Sequence, residues 1–279
     1  MSRFEPFFDL LRSGSASLGM VLITVVLLVA VVGPGLAPYD PIAPVPLDRL
    51  KGPSRAHYFG TDSLGRDIFS RVIHGARISI LIGLISVTIS LVPGTLLGLL
   101  SGYFGGWADS LIMRIMDMLL AFPAILLAIF ITAILGPSLP NTMIAVGIVY
   151  IPHYARIVRS SVLSLKEQLF VQAIAHLGGS HTRILVRHVL PNALPPIIVY
   201  ATLGMGTAVL QAAALGFLGL GAQPPQPEWG AMLSEGRQYI QLAPHVAAFP
   251  GAAILLLVLG FNLFGDGLRD VLDPSLRSL

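Results

Sequence analysis

The chain has 279 residues, 54% of them hydrophobic and only 11% charged. Soluble domains carry about 25% charged residues, so these proportions exclude an ordinary soluble enzyme and fit an all-α polytopic protein embedded in a lipid bilayer. The formal charge of +3 is scattered along the flanks of apolar runs, which argues against a nucleic-acid surface, and without cysteine there is neither a disulfide nor a thiolate metal site.

A polar tail, residues 1–17 with Arg3 and Arg12, precedes the first apolar run, Leu18 to Val32. A basic start and an apolar centre also describe a cleaved signal peptide. No A-x-A site follows, however, so a retained first span over 18–37 is expected. Residues 38–77 are polar, with prolines at 38, 41, 44, 46 and 53. They are too proline-rich at their start for a long helix and read as an extended extracytoplasmic segment on the membrane surface. Within it, Gly60 and Gly65 with Asp62, Arg66 and Asp67 form a pattern for a turn pinned by local ion pairs.

Ile78 to Leu100 is 23 residues without a charge and reads as the second span. Between Asp117 and Arg156 lie 38 uncharged residues, too many for one span of about 20. Gly136-Pro137-Ser138 and Pro140-Asn141 supply the turn of a helical hairpin there. Arg114 and Asp117 share a helix face and are expected to pair at the entry to the third span.

Residues 155–190 interrupt the apolar pattern. Lys166, Glu167, Arg183 and Arg187 would each cost roughly 2.5–3.5 kcal/mol at a bilayer centre, so the stretch lies in water. Leu169, Phe170, Ala173, Ile174 and Leu177 recur at helical spacing. Gly178-Gly179-Ser180 breaks that helix, and a second short helix is expected to stop at Pro191. Helix, glycine turn and helix make a shape suited to docking.

Ala193–Leu215 and Val246–Phe264 read as the fifth and sixth spans, joined by a loop over 217–245. In that loop Gly219 and Gly221 permit unusual backbone angles, Pro224-Pro225-Gln226-Pro227 reads as an extended rod, and Trp229 as an anchor at the membrane interface. Six spans place both tails, the last being 267–279, on one side. If the 155–190 loop shares that side, it holds ten of the 17 Lys and Arg, a lean in the expected direction that does not fix the orientation.

These stretches carry a family resemblance. Gln172-Ala173-Ile174, Gly178 and His188-Val189-Leu190-Pro191 resemble the motif E-A-A-x-x-x-G-x(9)-I-x-L-P, the cytoplasmic coupling loop of ABC importer permeases. Gln172, Ile174 and His188 depart from it. Gly60-Thr61-Asp62-Ser63-Leu64-Gly65-Arg66-Asp67-Ile68-Phe69-Ser70-Arg71 resembles the G-T-D-x-x-G-R-D-x-x-S-R signature of peptide-importer permeases. Phe217 to Gly221, followed by Pro224, Pro225, Glu228, Trp229 and Gly230, resembles their loop between the last two spans. Arg114-x-x-Asp117 and Ala121-Phe122-Pro123 also match. From about residue 18 to Pro274 the chain is similar to C-type permeases of dipeptide, oligopeptide, glutathione and nickel importers.

The resemblance implies a type I ABC importer permease fold of six transmembrane helices, in a bacterial inner membrane with both termini cytoplasmic. It further implies a homologous second permease, two ABC ATPase subunits that bind ATP and magnesium, and an extracytoplasmic substrate-binding protein. No cofactor is expected in this chain. The residues agree: Lys51 and Lys166 each follow leucine, so a phosphate-cradling G-K-[ST] loop is impossible, and neither H-E-x-x-H nor Gly-x-Ser-x-Gly occurs. The chain is read as a transport subunit for di- or oligopeptides or glutathione, not an enzyme. Nickel or a metal chelate is the alternative cargo, although His153, His176, His181 and His188 are spaced and placed unlike a metal-transfer site. A secondary transporter would show repeats and midplane charges, and a membrane-embedded hydrolase would need a histidine facing Ser86 or Ser90. The sequence offers neither.

Overall fold

Hydrocarbon offers backbone N–H and C=O groups no partner, so apolar runs of this length satisfy themselves as helices. The computed structural model describes residues 14–272; the tail positions Arg3, Arg12, Pro274 and Arg277 lie outside them. In chain order the helices are α1 (Gly14–Leu36), α2 (Ile68–Phe104), α3 (Gly106–Leu120), α4 (Ala124–Leu135), α5 (Leu139–Lys166), α6 (Leu169–His176), α7 (His181–Phe217), α8 (Trp229–Gly236) and α9 (His245–Leu272). Four of these, α1, α2, α7 and α9, are long and apolar enough to cross a membrane, and the bent pair α3–α4 passes the same test if its two helices are taken together as one span. Helix α5 has the length of a span, but Asn141, His153, Arg156 and Arg159 dilute its apolar character.

Three boundaries differ from those expected. Helix α2 starts at Ile68, ahead of the charge-free run, because Asp67 caps it: the carboxylate accepts the backbone N–H of Ser70 at 2.8 Å and its hydroxyl at 2.7 Å. The third span is not straight. Helices α3 and α4 meet at 91° around Ala121–Pro123, since Pro123 cannot donate to a continuing helix. Finally, the helix after Ser180 does not stop at Pro191. A π turn over Leu185–Val189, in which the Leu190 N–H bonds the Leu185 carbonyl, widens the helix ahead of that proline. α7 therefore runs unbroken for 37 residues.

The bundle is held by close helix contacts. Gly94, Gly98 and Gly102 stand four residues apart on one face of α2 and meet Tyr154, Ala155, Val158 and Val162 of α5. A Cβ on Gly98 would lie 2.5 Å from the Ala155 carbonyl oxygen. Such small-residue faces let backbones approach where lipid provides no hydrophobic drive. One buried cluster, around Leu99, Val158, Val162 and Ile184, sits at the end of the bundle bearing α6. Another, around Ile68, Trp229, Met232 and Leu257, sits at the opposite end, under a cap built from the 38–67 segment and α8.

Polar clamps tie the α6 end. Arg159 of α5 donates two hydrogen bonds, each of 2.6 Å, to the Asp109 carboxylate of α3, and Lys166 donates to the Gly102 carbonyl at 3.3 Å. The expected Arg114–Asp117 pair is corrected: Asp117 bonds Arg156 of α5 at 2.5 Å. The 91° bend swings α3 across α5, so its carboxylates meet the next helix rather than their own.

Candidate functional site

The first part of the site is the loop from Leu169 to Pro191. α6 is anchored by Val171, which is buried, and by half-buried Ile174, both in the cluster beneath it. Its other apolar residues face away: Leu169 is 83% exposed and Leu177 87% exposed, with Phe170 between them also exposed. Gln172 and Ala173 lie on the same outward side, and the Gln172 amide donates to the Glu167 carbonyl at 3.3 Å. The helix ends in a reciprocal pair of bonds, Gly179 N–H to the Ile174 carbonyl at 3.0 Å and Gly178 N–H to the Ala175 carbonyl at 3.1 Å. Gly178 has φ +81°, and a Cβ there would meet open space. Gly179 is the sterically closed position, where a Cβ would lie 2.8 Å from Ile174. Ser180 then caps α7 by accepting the Arg183 N–H at 3.4 Å. His188 and Leu190 are half-buried and Pro191 is exposed on α7.

The second part is the cap. The start of the 38–67 segment is exposed, whereas at its end Thr61, Asp62, Arg66 and Asp67 are all buried. Gly65, φ +78°, fits under Val45, whose carbonyl oxygen would be 1.9 Å from a Cβ. Gly60, φ +76°, passes by Lys51, whose carbonyl oxygen would be 2.5 Å from a Cβ. Asp62 accepts the backbone N–H groups of Leu64 at 2.8 Å and Arg66 at 3.0 Å, and its other oxygen accepts Arg66 Nε at 2.6 Å. The local ion pair read from the sequence is thus formed, but with both side chains buried. Arg66 continues to Glu235 of α8 at 2.7 Å, and Arg71 of α2 lies 3.5 Å from Asp62 and 3.7 Å from Glu235. Arg71 also donates to the carbonyls of Pro41 at 3.0 Å and Pro225 at 3.4 Å. Two cations and two anions therefore cancel in the middle of the cap and join four chain segments. Beside them His57 meets Asp67 at 3.0 Å.

The outer loop differs from its expected form in three respects. Pro224-Pro225-Gln226-Pro227 is a tight turn, not a rod, with the Gln226 N–H bonded to the Gln223 carbonyl at 3.2 Å and the Glu228 N–H to that of Gln226 at 3.0 Å. Gly219 has φ +80°, whereas Gly221 is needed for close approach: a Cβ there would lie 2.7 Å from Gly216. Trp229 is not an interfacial anchor. Its indole is buried, donates to the Val72 carbonyl at 3.0 Å, and occupies the space that Gly75 leaves. Glu228 caps α8 by accepting the Gly230 and Ala231 N–H groups, each at 2.8 Å. Burial pushes its carboxyl above the usual range, against the opposing pull of those two bonds. The motif Asp and Arg residues were visible in the sequence; Glu235, which closes the ionic cluster from 164 positions beyond Arg71, carried no local signal.

The model of the binding-protein-dependent transport system inner membrane component matches residues 94–278, and that of the N-terminal TM domain of oligopeptide transport permease C matches residues 7–53. The dipeptide transport system permease protein DppC of Alkalihalophilus pseudofirmus is 55% identical over 98% of this chain and 90% of its own. The glutathione transport system permease protein GsiD of Pectobacterium atrosepticum is 53% identical over 87% of this chain and 81% of its own. The probable D,D-dipeptide transport system permease protein DdpC of Escherichia coli is 52% identical over 91% and 86%. Among solved structures, an inward-facing MetNI methionine ABC transporter chain shares the fold, with TM-score 0.57 and 22% identity over 72% of this chain and 95% of that one. The chain therefore belongs to the family of binding-protein-dependent transport system inner membrane components, as a C-type permease of the peptide ABC importer branch.

Proposed function

We propose that this permease forms half of a membrane pathway for di- or oligopeptides, glutathione included, and that its α6 loop is the seat of a separate ATPase subunit. The observation that carries the reading is the outward apolar face of α6. Leu169, Phe170 and Leu177 stand in water on a helix whose opposite face is fixed to the bundle, and an exposed apolar patch on a rigid support marks a protein contact. Gln172, Ala173, Ile174, Gly178, His188, Leu190 and Pro191 set the shape of that seat. ATP and magnesium belong to the ATPase subunits; this chain has no phosphate-binding lysine loop.

On this reading the α6 end and both termini are cytoplasmic, and the cap faces outward, where a binding protein delivers cargo. Leu47 and Leu242 stand exposed on the cap and offer that partner an apolar contact. Gly60, Thr61, Asp62, Gly65, Arg66, Asp67, Gly221, Glu228 and Trp229 are buried and shape the surface from below, while Gly219 and Pro225 are exposed on it. A second, homologous permease completes the pathway.

Uptake of a labelled dipeptide into inverted-orientation-controlled vesicles, with ATP supplied on the α6 side and ion gradients collapsed, tests the function. ATP-dependent uptake is expected, and uptake that follows an ion gradient instead would refute it. Cysteines placed singly at Ser54, Gln226 and Ser180 test the orientation against a native background of none. Impermeant reagent should reach the first two from outside intact cells; labelling of the Ser180 site from outside would reverse the assignment.

A further inference from the structure

Polar groups inside a membrane bundle are costly and demand a reason. Midway along the helices a small chamber of about 100 Å³ lies between α2, α5 and α7. Tyr154 lines it; its hydroxyl is buried, makes no hydrogen bond of ordinary geometry and lies within interaction range of Ser90. Ser86 donates to the Met143 carbonyl, and Ser90 to those of Ser86 and Val87, so both serine oxygens are left as acceptors. The chamber is kept open by Gly204, where a Cβ would sit 2.7 Å from the Tyr154 hydroxyl. It is rich in acceptors and aromatic faces, and no charged side chain lines it.

Tyr200 and Leu203 also line a second, open cavity of about 540 Å³ between α5, α7 and α9. The wall beside Tyr200 is aromatic, with the His153 ring 5.4 Å from Tyr150 and 6.4 Å from Tyr200. The cation at this cavity is Arg269, and no ion pair among the described residues involves it. One end of the combined space suits an ammonium group, through acceptor oxygens and π faces. The other suits a carboxylate, through a guanidinium. From Gly204 back to Asn192, α7 rises about 18 Å at 1.5 Å per residue. An extended tetrapeptide covers about 14 Å, and the flexible arginine stem covers the remainder.

We propose that the chamber and the open cavity are one peptide-holding site on the inward path, with the peptide's amino end at Tyr154 and its carboxylate at Arg269. This rests on the peptide reading above and adds to it a site within the permease and an orientation of the peptide in it.

The test uses the assembled importer in nanodiscs and labelled tetraalanine, alongside its N-acetylated and C-amidated forms. Tyr154→Phe should weaken tetraalanine binding about tenfold and leave the N-acetylated form, already weak, unchanged. Arg269→Gln should weaken tetraalanine about tenfold and leave the amide unchanged. Because each variant is compared across three forms, a general folding defect shows as equal loss in all three. Equal loss, which would mean a structural or lipid contact, overturns the proposal. So does no loss in either variant, which would mean a chamber that holds only water. If the wild-type importer, with its binding protein and ATP, takes up none of the three forms, the peptide reading itself fails, and the site with it.

Discussion

Glu235→Gln removes one of four charges buried at the centre of the cap and leaves two guanidiniums sharing Asp62. Arg66 and Arg71 are 2% and 1% exposed and Asp62 3%, while Glu235 retains 24%. Breaking a buried pair by deleting one partner costs about 3–5 kcal/mol, and the partial exposure of Glu235 places this case near 3 kcal/mol. At about 2–4 °C per kcal/mol for a chain of this size, thermal unfolding of the purified importer in detergent should fall by roughly 6–12 °C. Two companions fix the interpretation. Arg66→Met with Glu235→Gln removes both members of the 2.7 Å contact and should recover most of the loss, since a neutral pair leaves no stranded charge. Asp117→Asn breaks the Arg156 pair, whose members are 53% and 59% exposed, and should shift unfolding by no more than about 3 °C. A Glu235→Gln shift no larger than that of Asp117→Asn would show that water reaches the cluster and that its burial is not what holds the cap.

Gly178→Val should abolish uptake and ATPase pull-down while the spans still insert. Its φ of +81° penalises a branched side chain even though the space around it is empty; Gly178→Asn, which tolerates that conformation, should keep activity, and normal uptake by the valine variant would remove the loop from coupling. Gly75→Ala should expel the Trp229 indole, since the new Cβ would lie 2.5 Å from its Nε1. In a Trp107→Phe background the fluorescence should then move to the red, and an unmoved spectrum would contradict the packing described. For Glu228, the folded-state carboxyl lies above its ordinary value of 4.5. Its stabilising share is complete below that value and is lost as pH rises through the folded pKa. Glu228→Gln, which does not titrate, should therefore gain on the wild type in unfolding temperature as pH rises from 4.5; a gap that is constant with pH would refute this.

The sequence revealed the parts that depend on short-range chemistry. The positive φ at Gly178 follows from a helix that must stop before a second one starts, and the Asp62–Arg66 pair from two charges four residues apart on a glycine turn. What it concealed depends on distant segments. Trp229 looked like an interfacial ring because its own neighbours are prolines and a glutamate; only Gly75, far earlier in the chain, supplies the slot that buries it. Asp117 has a suitable arginine three positions before it, yet the bend at Ala121–Pro123 turns it toward Arg156. Pro191 looked like a terminator because a proline removes one donor, and the π turn that absorbs the defect has no signature in residue type.

That π turn keeps α7 one continuous helix past Pro191, Pro195 and Pro196. Its 37 residues measure about 55 Å at 1.5 Å per residue, nearly twice the roughly 30 Å hydrocarbon layer. One tip is Ser180, next to the turn at Gly178. The other is Phe217, one residue after Gly216, whose backbone abuts the Glu228 carboxylate so closely that a Cβ would be 2.7 Å away. Pivoting such a rod by about 10° at its midpoint sweeps each tip through about 5 Å in opposite directions. On the proposed orientation one piece of backbone runs from the loop at Gly178 to the loop at Gly219, and a relay of side chains between them is not required.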